Sequence, residues 1–358
     1  MKIVHASWWQ RTLALTRPYT IAYRSISEVE LFFVRLQDAD GKVGLGSASP
    51  AQAVTGETPA ACGQALAQGV ALLEQADIRH LGRLTRLLSR ELAAAPAAQA
   101  ALDMALHDLF ARRLGIPLTD FLGRCHDDLP TSITIGIKPA AETLAEAGEY
   151  LRRGFTHLKV KLGHDFEEDQ DRLIRLRQKV GRSIRIRVDA NQGYSLAQTK
   201  RFGATLRDLD IEFVEQPLPQ AAVAEMRTLP DDLRALVAAD ESLLSPADAM
   251  ALAAKPAACG IFNIKLMKCG GITPALEIGV VAAAAGLDLM WGCMDESVIS
   301  ISAALHAACA CPATRYLDLD GSLDLAEDAA RGGFILRDGR LHITDAPGLG
   351  VDLLAPQS

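Results

Sequence analysis

The chain has 358 residues, 49% of them hydrophobic, which is enough for one large domain with a smaller partner and too apolar for a disordered protein. A net charge of −7 argues against a general nucleic-acid surface. No uninterrupted apolar run reaches the roughly 18 residues that a membrane span needs, and the opening MKIVHASWWQRT lacks a secretory core and cleavage site, so a cytoplasmic location without membrane contact is expected.

In chain order, EVELFFVRLQDADGKVGLGSAS reads as two strands joined at an Asp40-Gly41 turn. Gly41, Gly44 and Gly46 have the spacing of a nucleotide loop. They lie inside a hairpin with no helix after it, so nucleotide binding is not expected. APAAQAALDMALHDLFARRLG follows as a helix, with Ala101, Met104, Ala105 and Leu109 on one stripe and Gly115-Ile116-Pro117 as the stop. The first 125 or so residues are therefore α+β.

From residue 131 the pattern becomes strict alternation. TSITIGI, THLKVKL, IRIRVDA, IEFVEQ, LVAAD, IFNIKLM, LDLMWG and the region of TRYLDL read as strands, with helical stretches between them that are N-capped at Ser195 and Ser245-Pro246. Within ALEIGVVAAAAGLDLMWGC, Glu277, Gly286 and Asp288 split the apolar run into a buried helix and a buried strand. Eight strands with βα connections predict a parallel barrel. After Gly321 the rhythm ends, and GGFILRDGRLHITDAPGLG predicts a hairpin with Asp338-Gly339 at its turn. The seven cysteines include no CxxC pair, so they read as buried, reduced structural thiols, neither a disulfide framework nor a zinc site.

Charged residues fall at the ends of consecutive strand-like runs: Lys161, Asp189, Glu215, Asp240 and Lys265, at intervals of 28, 26, 25 and 25 residues. That is the length of one βα unit, and side chains at barrel strand C-termini converge on one mouth. Three carboxylates brought together repel unless a cation compensates them. An oxygen-only ligand set favours Mg²⁺, with Mn²⁺ second. Asn191, two residues after Asp189, is placed to orient a ligand or water. Lys159 and Lys161 leave the same face of the second strand, and two adjacent ammonium groups are expected to depress each other's pKa, leaving one a usable base. Lys265 comes from the opposite side of the barrel, so a substrate between Lys161 and Lys265 would show opposite faces of one carbon to two bases. Lys268, in KCGG, reads as a loop residue behind them.

The runs KVK at 159–161, DAN at 189–191, EQP at 215–217, ADES at 239–242 and NIKLMKCGG at 263–271 make the chain resemble the enolase superfamily, in particular its muconate-lactonizing subgroup, over nearly its whole length. The resemblance implies an α/β fold class: a (β/α)7β TIM-like barrel with an α+β capping domain built from the N-terminal region and the C-terminal tail. The capping domain would be residues 1–125, with 323–358 returning to it, and the barrel residues 126–322. It also implies abstraction of a proton α to a carboxylate, with Mg²⁺ stabilising the enolate. Asp318 and Asp320, a DxD after the eighth strand, look like the ammonium receptor of the dipeptide epimerases, and two carboxylates suit an ammonium group. By the same resemblance Thr134 and Lys159 hold substrate, Asp295 sits near its ammonium or side chain, and Arg24 lies where the cap closes over the site. Homo-oligomers are the superfamily habit.

The expected reaction is inversion of the α-carbon of a dipeptide's C-terminal residue. Arg24 favours an acidic side chain, as in L-Ala-D/L-Glu epimerase. Asp295 and Glu296 favour a cationic or mixed dipeptide and outnumber it. An o-succinylbenzoate synthase or muconate cycloisomerase on the same scaffold is the alternative, and a non-catalytic barrel is a third reading. The DxD argues against the cycloisomerase, which has no ammonium group to bind, and the complete set of two lysines and three carboxylates argues against the non-catalytic barrel.

Overall fold

The computed structural model describes residues 1–21 and 24–354, with the side chains of residues 18–26 outside that description. Three antiparallel strands, Ile3–Ile21, Arg24–Asp38 and Val43–Ala48, form the N-terminal sheet. Gly41 takes the left-handed conformation that the turn between the second and third of these requires. The helix Pro96–Leu114 packs across this sheet. Its burial departs from the single predicted stripe: nearly every residue from Ala97 to Leu109 is buried, including Gln99, Asp103, His107 and Asp108. The reason lies in the two strand glycines. A Cβ at Gly46 would fall 1.8 Å from the carbonyl oxygen of Ala101, and one at Gly44 2.2 Å from that of Ala105. The glycine pattern serves close helix-on-strand packing, with the far side of the helix covered by other elements.

Eight parallel strands follow: Ile133–Ile135, His157–Lys161, Arg185–Asp189, Ile211–Glu215, Val237–Ala239, Ile261–Ile264, Asp288–Gly292 and Thr314–Asp318. Each pairs with its sequence neighbour. A parallel bridge between Thr131 and Leu317 brings the eighth strand back to the first, so the sheet closes as a barrel. Helices cover its outside. Ser195 accepts from the Gln198 N–H in a full capping box, and Ser245 accepts from that of Asp248 ahead of Pro246, as the sequence predicts. Among the described residues, no helix is long and apolar enough to cross a membrane.

The tail hairpin, Phe334–Arg337 with Arg340–Ile343, turns at Asp338-Gly339, both at positive φ. It pairs with Asp128–Pro130. Farther on, the backbone N–H of Leu349 donates to Asp108 at 2.7 Å, so this part of the tail reaches the N-terminal helix. All seven cysteines are free, but they are not uniformly buried. Cys125 is exposed, and Cys293 stands at the barrel mouth.

Candidate active site

Strand register builds the site. Lys161 is level with Asp189, and Asp189 with Glu215, across three adjacent strands. One layer down, Thr134 is level with Lys159, and Lys159 with Arg187. Inward positions on a strand recur every second residue, so 159 and 161, 187 and 189, and 213 and 215 all point into the barrel.

Asp189, Glu215 and Asp240 are all buried, and each is met by an ammonium group. Lys161 Nζ donates to Asp189 Oδ2 at 2.6 Å. Lys265 Nζ donates to Asp240 Oδ2 at 2.8 Å. Lys159 Nζ lies 2.7 Å from Glu215 Oε2, 2.8 Å from Asp318 Oδ2 and 3.3 Å from Asp189 Oδ2. The expectation that Lys159 and Lys161 would depress one another's pKa does not describe Lys159. Burial opposes its charge, but the carboxylates of Asp318, Glu215 and Asp189 hold it well above the usual lysine range. Lys265 is likewise raised, burial being outweighed by Asp240 and Glu215.

Lys268 differs from its sequence reading. It sits on a four-residue helix, Leu266–Cys269, and is fully buried. Its Nζ donates to the backbone oxygen and to Oδ1 of Asp240 and to the backbone oxygen of Asn263. Asn191 also acts differently: its side chain is exposed, and its backbone N–H donates to Asp189 Oδ1 at 2.9 Å, made possible by a φ of 43°.

The carboxylates titrate apart. Burial opposes the charge of Asp189, but Lys161 and Lys159 hold it at about 2. Burial and the neighbouring Asp189 push Glu215 up to about 8. Glu215 Oε1 accepts from Asn263 Nδ2 at 2.8 Å, while Oε2 is buried without a hydrogen-bond partner, its contact with Lys159 being an ion pair off the hydrogen-bond line. Among the described residues no three histidine, cysteine or carboxylate groups form a ready-made metal cage. The donor set nevertheless fits a hard divalent cation: three oxygen acids on adjacent strands, one carrying an orphaned buried oxygen.

The DxD pair is asymmetric. Asp318 has both oxygens engaged, Oδ1 by Ser132 Oγ at 2.7 Å and Oδ2 by Lys159. Asp320 Oδ2 accepts from the Thr134 backbone N–H at 2.7 Å, so it is the backbone of Thr134 that is committed here. Burial, then Asp318 and Asp324, push Asp320 up to about 8. Asp295 stands in the loop after the seventh strand, where its backbone oxygen accepts from Ser49 Oγ at 2.9 Å. Glu296 turns inward onto the Met294 N–H and is buried. The side chain of Arg24 lies outside the described residues.

Two residues escaped the sequence reading. Gln216, inside EQP, is buried at φ 32°, and its side chain ties the Asp240 and Ser242 N–H groups to Ser242 Oγ and Leu218 O. Strain of this kind collects at functional sites. Asp324 faces Asp295 and Glu146 electrostatically, and burial followed by those two acids pushes it up to about 6. Its only sequence signal is continuation of the acidic run DLDGSLD.

A closed parallel barrel carrying acids and opposed lysines at its strand C-termini, beside an N-terminal α+β region, defines an enzyme of the barrel class with its site at the mouth. The mandelate racemase / muconate lactonizing enzyme N-terminal domain model matches residues 5–123, and the enolase C-terminal domain-like model matches residues 142–357. The chain belongs to the mandelate racemase/muconate-lactonizing branch of the enolase superfamily. It is 59% identical to the L-Lys-D/L-Arg epimerase of Methylococcus capsulatus, over 98% of this chain and 99% of that protein. It is 34% identical to the L-Ala-D/L-Glu epimerase of Bacillus subtilis, over 98% and 97%. A Methylococcus capsulatus dipeptide epimerase crystallised with Mg and L-Arg-D-Lys superposes with a TM-score of 0.96 at 59% identity, covering 98% of this chain and 99% of that one. An Enterococcus faecalis dipeptide epimerase with Mg and L-Leu-L-Tyr gives 0.92 at 32%, covering 98% and 99%.

Proposed function

We propose that the chain is a Mg²⁺-dependent dipeptide epimerase, an isomerase that inverts the α-carbon of the C-terminal residue by two-base 1,1-proton transfer, with a preference for cationic dipeptides. The observation that carries this reading is the placement of Lys161 at the end of the second barrel strand and Lys265 directly after the sixth, four strands away across the mouth. Asp189, Glu215 and Asp240 would hold Mg²⁺, with Mn²⁺ as the other hard ion suited to them. When bound, the ion supplies positive charge that offsets these carboxylates, easing proton loss from the lysines, and takes up negative charge developing on the substrate carboxylate.

Lys161 removes the α-proton of one epimer and Lys265 delivers a proton to the opposite face; the reverse reaction exchanges their roles. Lys268 and Asn191 steady Asp240 and Asp189. Asp320 receives the substrate ammonium beside Asp318, with Thr134 and Lys159 on the same side of the mouth. Asp295, Asp320 and Asp324 crowd one side of the mouth, where their mutual repulsion helps to raise Asp320 and Asp324; a cationic substrate group bound there would relieve that repulsion and favour their charged forms. The names of the Methylococcus relatives support the same preference. We also expect a cytoplasmic homo-oligomer without affinity for nucleic acid, which sedimentation with and without nucleic acid measures.

The test is incubation with Mg²⁺ and L,L-dipeptides in D₂O, read by mass spectrometry. A one-dalton gain, faster for Lys- and Arg-containing dipeptides than for L-Ala-L-Glu, is expected. Faster exchange of L-Ala-L-Glu overturns the side-chain preference. No exchange in any dipeptide overturns the epimerase reading and turns attention to succinylbenzoate and lactone chemistry.

A further inference from the structure

One buried charge takes no part in the mechanism above. Arg187 is 1% exposed inside the barrel, two residues before Asp189 on the same inward face. Its Nε donates to Glu212 Oε2 at 2.8 Å, and its guanidinium lies 5.7 Å from the ring centre of Phe213 and 5.1 Å from that of Tyr316. Its Nη1 donates to Leu317 O at 2.6 Å and reaches Ser132 Oγ at 3.3 Å.

Ser132 is fully buried and has one hydroxyl hydrogen to give. Two acceptors stand within reach, Asp318 Oδ1 at 2.7 Å and Leu317 O at 3.2 Å. Leu317 O already accepts from the Ser132 backbone N–H at 3.0 Å and from Arg187. Its lone pairs are taken, whereas the carboxylate is nearer and charged. The hydroxyl accepts from Arg187 on one side and donates to Asp318 on the other, so the hydrogen bonds run in one direction from guanidinium to hydroxyl to carboxylate.

We propose that Ser132 and Arg187 are positioning residues for Asp318: together with Lys159 they fix its orientation from both oxygens and thereby set the Asp318–Lys159 edge of the substrate site. This rests on the dipeptide epimerase reading. Neither residue touches substrate; both act through the carboxylate. Without Ser132 Oγ, Asp318 Oδ1 loses its donor and the carboxylate is held from one oxygen alone, by Lys159, which Glu215 and Asp189 also pull. Arg187 in turn keeps the serine hydrogen pointing upward.

A double-mutant cycle with Asp318 tests this, because a residue that acts only through another has no effect once that other is gone. The substitutions are Ser132→Ala, Ser132→Thr, Asp318→Ala and Ser132→Ala/Asp318→Ala, each assayed with Mg²⁺ on the dipeptide that exchanges fastest in the wild type. Ser132→Ala is expected to lower kcat/KM about ten- to hundredfold, mainly through KM, as loss of a hydrogen bond to a charged group does. Ser132→Thr, which keeps the hydroxyl, is expected to restore most of it. In the Asp318→Ala background, where the acceptor is gone, Ser132→Ala is expected to change kcat/KM by less than about twofold.

Additive losses, or a silent Ser132→Ala, overturn the positioning role. So does a loss that falls on kcat alone, or a Ser132→Thr variant that folds with the wild-type melting temperature and fails to recover. An active wild type in which Asp318→Ala is silent removes the ammonium role of Asp318, and with it any positioning role for Ser132. A wild type that exchanges no dipeptide α-proton is the separate failure of the epimerase reading itself.

Discussion

The lower and upper halves of the barrel interior are built by the same strands and do opposite things. Below, Phe213, Ala238, Ile261, Met290 and Tyr316 form a separate buried apolar plug, with Phe213 and Tyr316 edge to face at 4.9 Å. Above, two residues further along those strands, Glu215, Asp240 and Asp318 face Lys159, Lys161, Lys265 and Lys268. Arg187, Ser132 and Asn263 sit between the layers, where polar groups first appear. The difference shows how a barrel carries chemistry without losing its core. Packing is completed low in the strands, and the period of two then lifts the next inward side chain to the rim.

The largest effects are expected from the lysines at the top. Lys161→Ala should abolish exchange of one epimer's α-proton and Lys265→Ala that of the other, each by about a thousandfold or more. Deuterium incorporation measured separately from each epimer checks this. A fully active Lys161→Ala would refute the two-base mechanism. If the halves are as distinct as the structure shows, neither change should disturb the plug.

Phe213→Ala should do the reverse. It removes a fully buried aromatic side chain and leaves a cavity in the plug, costing about 3–5 kcal/mol in denaturant unfolding. At temperatures where the variant stays folded, the ratio of exchange from the two epimers should match the wild type. A changed ratio would mean that the plug also shapes the mouth.

Within the upper half, the lysines are not equivalent. Lys268 is fully buried and ties Asp240 to Asn263, whereas the Lys161 side chain is 29% exposed and, among the described residues, its ammonium pairs with Asp189. Lys268→Met removes three hydrogen bonds and leaves buried Asp240 with one partner fewer, so a loss of about 3 kcal/mol is expected; Lys161→Met removes one hydrogen bond from a partly exposed lysine, and buried Asp189 keeps Lys159, so a smaller loss is expected. Equal losses would show that Lys268 is no more structural than the rim lysine.

These contrasts also mark what the chain's pattern could disclose. Charged strand ends repeating every 25 to 28 residues made Lys161, Asp189, Glu215, Asp240 and Lys265 legible, because one βα unit has that length. The inward phase of Arg187 was equally available, two residues before Asp189. In IRIRVD, however, Arg187 alternates with apolar residues in the manner of an exposed strand face, and only closure against Leu317 and Ser132 shows that it is buried. The division of labour between Asp318 and Asp320 was out of reach for the same reason. It depends on which donors the first strand presents across the barrel's closing seam. Lys268 read as a loop residue because four residues are too few for periodicity to reveal a helix. The helix Pro96–Leu114 showed one apolar stripe, yet alanines and two strand glycines let neighbours approach from every side.

The smallest effect should come from the bottom edge of the second strand, where His157 begins what Lys161 ends. His157 is half-buried, and burial first, then the positive charges of Arg187, Arg185 and Arg340 against the opposing Glu212, lower its pKa to about 4 from 6.5. The folded state therefore resists protonation while the unfolded chain accepts it. Between those two values the unfolded state binds more protons, so stability is fully present above about pH 6.5 and falls as the pH drops toward 4. The partly exposed ring reduces the effect to roughly 1–2 kcal/mol. His157→Gln should flatten that part of the stability profile, measured as chemical denaturation midpoints at pH 7, 6 and 5, and leave α-proton exchange at pH 7 within about twofold of the wild type. An unchanged acid slope would place the sensitivity elsewhere, with His306 the next candidate, since burial lowers it to about 4 as well. A large loss of exchange would instead mean that a change at the foot of the strand reaches Lys161 four residues above it. The separation of packing below from chemistry above would then fail along the strand that carries both.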